Sequence, residues 1–243
     1  KIATEAMKGE SGAVIVTKPK TGEILAMASF PDFNPNLFSG GIDQKNWNSL
    51  LDNPEDPLGN KAIQGLYAPG SIFKIITAYA GLDRGSITPE TEHVCKAEFF
   101  IKGRVEPFKC WKEEGHGRIN LLKAIMGSCN IFFYNAGIET GIDAIHQYAN
   151  LFKLGKITGM GLQNEKAGSI PSSKWKIDNL KEQWYEGETP VAAIGQGYIT
   201  TTPMQVINMI NILANDGLWM PPSLFKDQKG LAPQQIPLKE EYL

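Results

Sequence analysis

Long apolar runs are absent from this chain. No stretch approaches the roughly 20 apolar residues that a membrane-spanning helix requires. Charge of either sign has almost no surplus, with 24 Lys and Arg against 26 Asp and Glu, a formal net charge of −2. That balance gives no footprint for nucleic acid or for an anionic membrane surface. Cysteine is scarce and odd in number, at three, so a simple disulfide framework is not the first reading. Histidine is equally scarce, also at three. There is no internal repeat, no low-complexity tract and no signal peptide. Residue 1 is lysine rather than methionine, so the sequence is expected to be a piece of a longer chain, whose anchor would leave no trace here. What remains is ordinary globular material. The 243 residues are 42% hydrophobic and 21% charged, enough for one large domain or two small ones.

Several elements are legible. Gly12-Ala13-Val14-Ile15-Val16 is apolar and β-branched, the pattern of a buried strand. Pro19-Lys20-Thr21-Gly22 has turn chemistry, and Glu23 to Ser29 then reads as a returning strand. Residues 31–60, rich in Pro, Asn, Asp and Gly, read as a long surface loop. Residues 97–109 alternate around Lys102-Gly103-Arg104 and predict a second hairpin. From Ile119 to about Leu154 the pattern is helical, with Asn120 as a cap and breaks at Gly137 and Gly141. Thr202-Pro203 opens a further helix that runs to about Asn215-Asp216-Gly217, and the tail from Pro221 is polar.

The most informative segment is Ala68-Pro69-Gly70-Ser71-Ile72-Phe73-Lys74, at the head of the apolar run Ile75 to Leu82. If that run is helical, Ser71 and Lys74 share one face of its first turn. The serine then sits at the positive end of the helix, where an oxyanion is stabilised. A lysine on a buried helix loses its proton more easily, because burial disfavours charge, and so can serve as a base. Together they are the minimum for acyl transfer through a serine ester. Ser-x-x-Lys alone is weak, since on many helices it is only a solvated face. Fifty-seven residues after Ser71 stands Ser128-Cys129-Asn130, a triplet that also means little alone but that sets a hydroxyl and an amide on one side of a turn. The two motifs in this order form a recognised acyl-transfer pairing.

On these residues, and on Pro19 to Ser29, Gly65 to Lys74, Gly115-His116-Gly117 and Gly195-Gln196-Gly197-Tyr198, the chain resembles the transpeptidase domain of class B penicillin-binding proteins, in particular the elongation type, penicillin-binding protein 2. The likeness runs over nearly the whole of residues 1–243. It implies an α+β fold of the penicillin-binding protein and serine β-lactamase kind, an antiparallel sheet flanked by helices. It implies Ser71 as the acylated nucleophile, Lys74 as its general base, Ser128 as proton shuttle and Asn130 as the group that orients Lys74 and substrate. Gly195, Gln196 and Gly197 match a family loop and are assigned to substrate binding. The implied reaction is cross-linking of peptidoglycan stem peptides ending in D-Ala-D-Ala, with β-lactams acylating the same serine. The implied setting is the extracytoplasmic (periplasmic) face of the cell membrane, beside a membrane glycosyltransferase of the elongation complex. Two other readings stand beside it. One is a β-lactamase or β-lactam sensor on the same scaffold, although no loop can be assigned to activate water. The other is a non-catalytic docking module of a wall-synthesis complex.

The family also uses a Lys-Thr-Gly strand beside the site. Lys20-Thr21-Gly22 is rejected for that role because it precedes Ser71, in the turn of the first hairpin. The catalytic copy is expected beyond Leu243, so the fold is expected to be incomplete at its C-terminal end. That strand would supply one of two oxyanion donors, whose loss costs about 3–4 kcal/mol, so the residues given are expected to be poorly active on their own.

Cys95, Cys110 and Cys129 fall close together, with His116 between the last two. Three thiolates and one imidazole fit a closed tetrahedral zinc site, structural rather than catalytic. The competing reading is a Cys95–Cys110 disulfide with Cys129 as a small buried residue, which an oxidising compartment favours. Two features favour metal: the disulfide leaves Cys129 unexplained, and glycines on both sides of His116 let the backbone bend toward a shared centre. Some elongation-type relatives, by the resemblance, hold zinc at these four positions. On the metal reading, residues 91–118 form a zinc-stabilised hairpin insertion that pins Ser128 and Asn130. Asp32, Asp43, Asp52 and Asp56 read as solvated turn residues, and His146 as a helix-surface residue without a role. Trp111 is expected to pack over the second hairpin. Trp184 and Tyr185 read as core packing, with a place in an acceptor groove as the other possibility.

Overall fold

A computed structural model describes residues 2–226 and 232–242. Along the chain run α1 (Ile2–Ala6), β1 (Gly12–Thr17), β2 (Ile24–Phe30), α2 (Gln44–Leu51), α3 (Lys74–Arg84), β3 (Glu92–Cys95), β4 (Glu98–Phe99), β5 (Phe108–Lys109), β6 (Gly117–Asn120), α4 (Leu121–Met126), α5 (Asn130–Thr140), α6 (Ile142–Leu151), α7 (Ser173–Leu180), α8 (Thr189–Ala193), α9 (Pro203–Ala214), β7 (Leu218–Trp219) and β8 (Gln234–Gln235). Helices dominate, joined by short antiparallel ladders, which is the expected α+β class. The chain divides into two compact units.

One unit comprises Lys1–Tyr67, Lys156–Ala167 and Thr202–Gln235. Its β1 and β2 pair antiparallel from Gly12↔Phe30 to Val16↔Ala26, with a register slip at Val16/Thr17. The Lys20-Thr21-Gly22 triplet is the bend between them: Lys18 O accepts from Thr21 N at 3.2 Å and Gly22 N at 2.9 Å. Gly22 has φ +71°, and a Cβ there would fall 2.2 Å from Pro221 O, so only glycine fits. Ser223 extends the β2 side, with Ile24 N donating to Ser223 O at 2.8 Å. Helix α9 starts as its sequence dictates. Thr202 and Gln205 form a reciprocal capping box and Pro203 opens the first turn. Its Met204 joins Ala62 and Ile63 in a small core backed by Ile15, Ile24, Met27 and Ile207.

Residues 31–60 are more ordered than a loop. They hold a 3₁₀ turn at Pro35–Phe38 and helix α2. Asp43, read as a solvated turn residue, is the N-cap of α2, its carboxylate accepting from Asn46 N at 2.9 Å. That backbone bond holds its pKa below the ordinary carboxylate value. The stretch 227–231 of the polar tail lies outside the described residues.

The other unit comprises Ala68–Gly155, Gly168–Thr201 and Ile236–Leu243. Its centre is α5, whose Ile131, Phe132, Phe133, Tyr134, Ala136 and Gly137 are all buried, so the helix is apolar all round rather than amphipathic. A Cβ on Gly137 would lie 2.3 Å from Ala193 Cβ, which is why a glycine stands where α8 crosses α5. Thr77 on α3 donates to Ala193 O at 2.7 Å and ties α3 to the same crossing. The predicted hairpin at 97–109 is present but short, as β4–β5 pairs only Glu98↔Lys109 and Phe99↔Phe108. A second ladder encloses it, β3 with β6, from Glu92↔Asn120 to Cys95↔Gly117. Ile119 therefore belongs to a strand, and the helical stretch begins only at Leu121, where Asn120 caps α4 as expected.

Candidate active site

Ser71 does not open an α-helix. Gly70 takes φ +58°, and residues Gly70–Phe73 wind as a 3₁₀ turn, with α3 beginning at Lys74. The turn is held at two points. Phe73 is fully buried, and Gly70 N donates to Gly195 O at 3.0 Å. A Cβ on Gly195 would lie 2.4 Å from Gly70 O and 2.5 Å from Phe73 Cβ. Of the Gly195-Gln196-Gly197 set, Gly195 thus braces the turn that carries Ser71, while Gln196 reaches the cleft lining. Gly197, at φ +70°, carries the chain away.

Lys74 is 3% exposed, and its ammonium is fully engaged. Nζ donates to Ser128 O at 2.8 Å, to Ser128 Oγ at 2.9 Å and to Asn130 Oδ1 at 2.8 Å. Ser128 Oγ in turn donates to Ser71 Oγ at 2.8 Å. A hydrogen-bonded line therefore joins Ser71, Ser128 and Lys74, and the four residues expected from the sequence converge. Burial lowers the Lys74 pKa to about 8, an effect that the Cys110 and Cys129 sulfurs partly oppose. Asn130 uses both ends of its amide, with Nδ2 donating to Lys109 O at 3.3 Å. Ser128 sits at φ +48°, unusual for a residue with a side chain. Backbone bonds hold it there: Ser128 N to Ile125 O at 3.1 Å and Cys129 N to Ala124 O at 2.9 Å.

These groups open on a cleft of about 500 Å³ lined by Ser71, Lys109, Trp111, Ser128, Asn130, Tyr134, Ile194 and Gln196. Trp111 corrects its sequence expectation. It is exposed, and its Nε1 donates to Gly127 O and Ser128 O, both at 3.1 Å. It walls the cleft, with its indole N–H bonded at the Ser128 turn and its ring 5.5 Å from that of His116. Tyr134, also missed by the sequence reading, donates to Lys109 O at 3.2 Å, and burial pushes its pKa up to about 12, so it stays a donor. Nothing in the sequence marks it, since it falls within an unbroken apolar stretch of α5. Trp184 is half-buried and Tyr185 exposed, so neither is plain core; Trp184 lines a second groove.

Cys95, Cys110, Cys129 and His116 meet, with one ligand atom from each within 4.8 Å of the others. All three cysteines are free and buried, so Cys95 and Cys110 are not bridged. His116 Nδ1 lies 3.6 Å from Cys95 Sγ and 3.5 Å from Cys110 Sγ. A tetrahedral ion with ordinary thiolate and imidazole bonds sets sulfur and nitrogen about 3.6 Å apart. His116 Nε2 lies 3.1 Å from Gly127 O, and donation there leaves Nδ1 free to ligate. Backbone N–H groups of Lys112, Asn130 and Ile131 point at Cys110 and outweigh its burial, holding that thiol below its ordinary pKa, whereas burial pushes Cys129 up to about 12. The donor set and its spacing fit a metal ion. Cys129 is wholly buried between Ser128 and Asn130, so the cluster is anchored inside the triplet that contacts Lys74.

Comparison with known proteins matches residues 12–242 to the family model of the penicillin-binding protein transpeptidase domain. The chain is 40% identical over 232 residues to the peptidoglycan D,D-transpeptidase MrdA of Acinetobacter baumannii, covering 96% of this chain and 34% of that protein. It thus spans about a third of the length of that relative. A crystal structure of Pseudomonas aeruginosa PBP2 in complex with WCK 5153 superimposes with TM-score 0.91 at 34% identity, covering 99% of this chain and 56% of that one. The complex of PBP2 with MreC from Helicobacter pylori gives TM-score 0.92 at 32% identity, covering 99% of this chain and 44% of that one.

Proposed function

Because the chain belongs to the penicillin-binding protein transpeptidase domain family, we propose that it cross-links peptidoglycan stem peptides through an acyl-enzyme on Ser71. The observation that carries this reading is the hydrogen-bonded line from Ser71 through Ser128 to a buried lysine whose pKa lies near 8. Neutral Lys74 draws the Ser71 proton through Ser128. The Ser71 oxygen bonds to the carbonyl carbon of the penultimate D-Ala, and the carbon–nitrogen bond to the terminal D-Ala breaks. Lys74, through Ser128, returns the proton to the departing amine. In the second half the amine of another stem attacks the ester, its proton passes back along the same line, and Ser71 leaves as the hydroxyl. The Ser71 backbone N–H is one oxyanion donor. By the family pattern the second comes from a Lys-Thr-Gly strand, a role that Lys20-Thr21-Gly22 cannot take because it is a bend. Asn130 holds Lys74 and faces substrate, and Trp111 and Gln196 flank the donor peptide.

The Cys95, Cys110, His116 and Cys129 cluster would hold a structural zinc ion. When bound, zinc supplies fixed geometry rather than a reactive water. The chain's own part is to convert four side chains into a brace for the Ser128–Asn130 turn. The same reading makes β-lactams acylating inhibitors. It also carries a setting at the extracytoplasmic face of the membrane, with a glycosyltransferase of the elongation complex as partner. Support for the peptidoglycan part of that setting is the naming of the relatives as peptidoglycan D,D-transpeptidases and the neighbour solved in complex with MreC. Among the described residues no helix is long and apolar enough to cross a membrane.

Intact-mass measurement after incubation with penicillin G, on the protein carrying this domain together with its Lys-Thr-Gly strand, tests the reading. One adduct per chain is expected, absent in Ser71→Ala, with slow release. An unmodified wild-type mass would end the acyl-enzyme proposal. Rapid turnover of nitrocefin would move the protein to the β-lactamase alternative.

A further inference from the structure

Beside the Ser71 cleft lies a second groove of about 250 Å³, and Gln196 lines both. It is lined by Trp184, Val191, Ala192 and Tyr198, together with the half-buried Glu188 and the exposed Arg104. The walls are rigid. Trp184 Nε1 donates to Thr189 Oγ1 at 2.9 Å, and the Tyr198 ring packs 5.5 Å from Trp175 and 6.3 Å from Trp184. Glu188 is neutralised from behind, because the buried Lys176 ammonium donates to its two carboxylate oxygens at 2.7 and 2.8 Å. Arg104 is different. Its guanidinium lies 4.1 Å over the Phe108 ring and its Nε donates to Glu106 O at 2.9 Å, yet among the described residues no carboxylate pairs with it. The groove therefore offers aromatic and aliphatic surface along its length and one uncompensated, fork-shaped cation at its edge.

We propose that this groove is the subsite for the amine-donating peptide, holding a side chain with an aliphatic stem against Trp184 and Tyr198 and its carboxylate on Arg104. The proposal rests on the transpeptidase reading above. Continuity with the nucleophile cleft at Gln196 argues for the acceptor. The acceptor's amine must arrive at the Ser71 ester while the rest of that peptide lies alongside, and this groove is where an apolar segment leaving the cleft finds a wall. Charge argues for the carboxylate, since the planar guanidinium takes it in a two-point contact that a lysine does not reproduce.

The experiment separates the two half-reactions in the protein carrying this domain. Acylation of Ser71 is followed by penicillin G adduct formation, which does not use the groove. Aminolysis is followed with a D-alanyl thioester donor and a series of acceptors, the ω-amino acids from glycine to 8-aminooctanoate and the matching ω-amino amides. In the wild type, acceptor KM is expected to fall as the acid lengthens, and at one length the acid should outcompete its amide by roughly tenfold. Arg104→Ala should erase that preference and leave acylation unchanged, and Arg104→Lys should restore only part of it. Trp184→Ala should raise KM for the long acids and amides alike. Unchanged acid preference in Arg104→Ala, with normal acylation, overturns the subsite alone. Failure of penicillin to acylate the wild type overturns the transpeptidase reading and the subsite with it.

Discussion

On the proposed function, Lys74 concentrates the chemistry into a single side chain, and its position decides how the protein responds to pH. Buried at 3% exposure and lowered to about 8, it is still mostly protonated at neutrality. The rate of penicillin acylation should therefore climb with pH through about 8 and level off above it, as read by stopped-flow quenching or timed mass spectrometry. Lys74→Ala should lower that rate by roughly 10²–10⁴-fold, the usual share of a positioned base. A profile flat from pH 6 to 10 would remove lysine from the role. At this scale the sequence was informative where chemistry needs particular atoms. Ser71, Lys74, Ser128 and Asn130 were found because few other residues can do their jobs. Trp111 and Tyr134 were not, since an indole or phenol next to a cleft has the same local pattern as one in a core. Gly195 was placed with substrate, while the chain uses its lack of a Cβ to seat Gly70.

At the scale of the element, strong local signals held and weak ones were overridden. The Thr202-Pro203 start of α9 appears with its full capping box. Thr202→Ala should cost about 1 kcal/mol in chemical denaturation without altering penicillin acylation. Helix α2 was missed although Trp47, Leu50 and Leu51 recur at helical spacing, because the segment was read from its Pro, Asn, Asp and Gly content and its cap, Asp43, was taken for a solvated turn residue. The start of α4 shifted for a related reason. A short strand such as β6 is made by its partner β3, and pairing across a gap of some twenty residues leaves no trace in local pattern. The triplet Ser128-Cys129-Asn130 works as one such element, set at its centre by a buried sulfur. Treating the protein with a strong chelator, or replacing His116 by Ala, should release about one zinc per chain. It should also lower Tm by several degrees and slow acylation, because the proton line passes through the residue next to the ligand. A preparation free of metal by elemental analysis, yet acylated at full rate, would reduce the cluster to a set of core thiols.

For the molecule as a whole, the same lysine makes folding depend on pH. In the unfolded chain its pKa returns to 10.5, while in the folded state it is about 8. Between these values the unfolded state binds more protons, so stability rises with pH. The penalty is full below about 8 and gone above about 10.5, a change on the order of 3 kcal/mol. The wild type should therefore gain stability relative to Lys74→Met as pH is raised from 7.5 to 10.5 in paired unfolding curves. A parallel pair of curves would show that Lys74 is not desolvated by the fold. The α+β class was legible from the first hairpin and the apolar helices. The division into two units was not, because each gathers segments distant in sequence, and only contacts across those distances define them. One close approach has an evolutionary outcome. Every single-base missense change of a glycine codon adds at least one carbon, and at residue 195 that carbon would land 2.4 Å from Gly70 O, well inside van der Waals contact with the Ser71 turn. On the proposed function, a lineage under antibiotic pressure thus finds no quiet substitution at this place, since whatever moved Ser71 away from a β-lactam would move it away from the stem peptide as well.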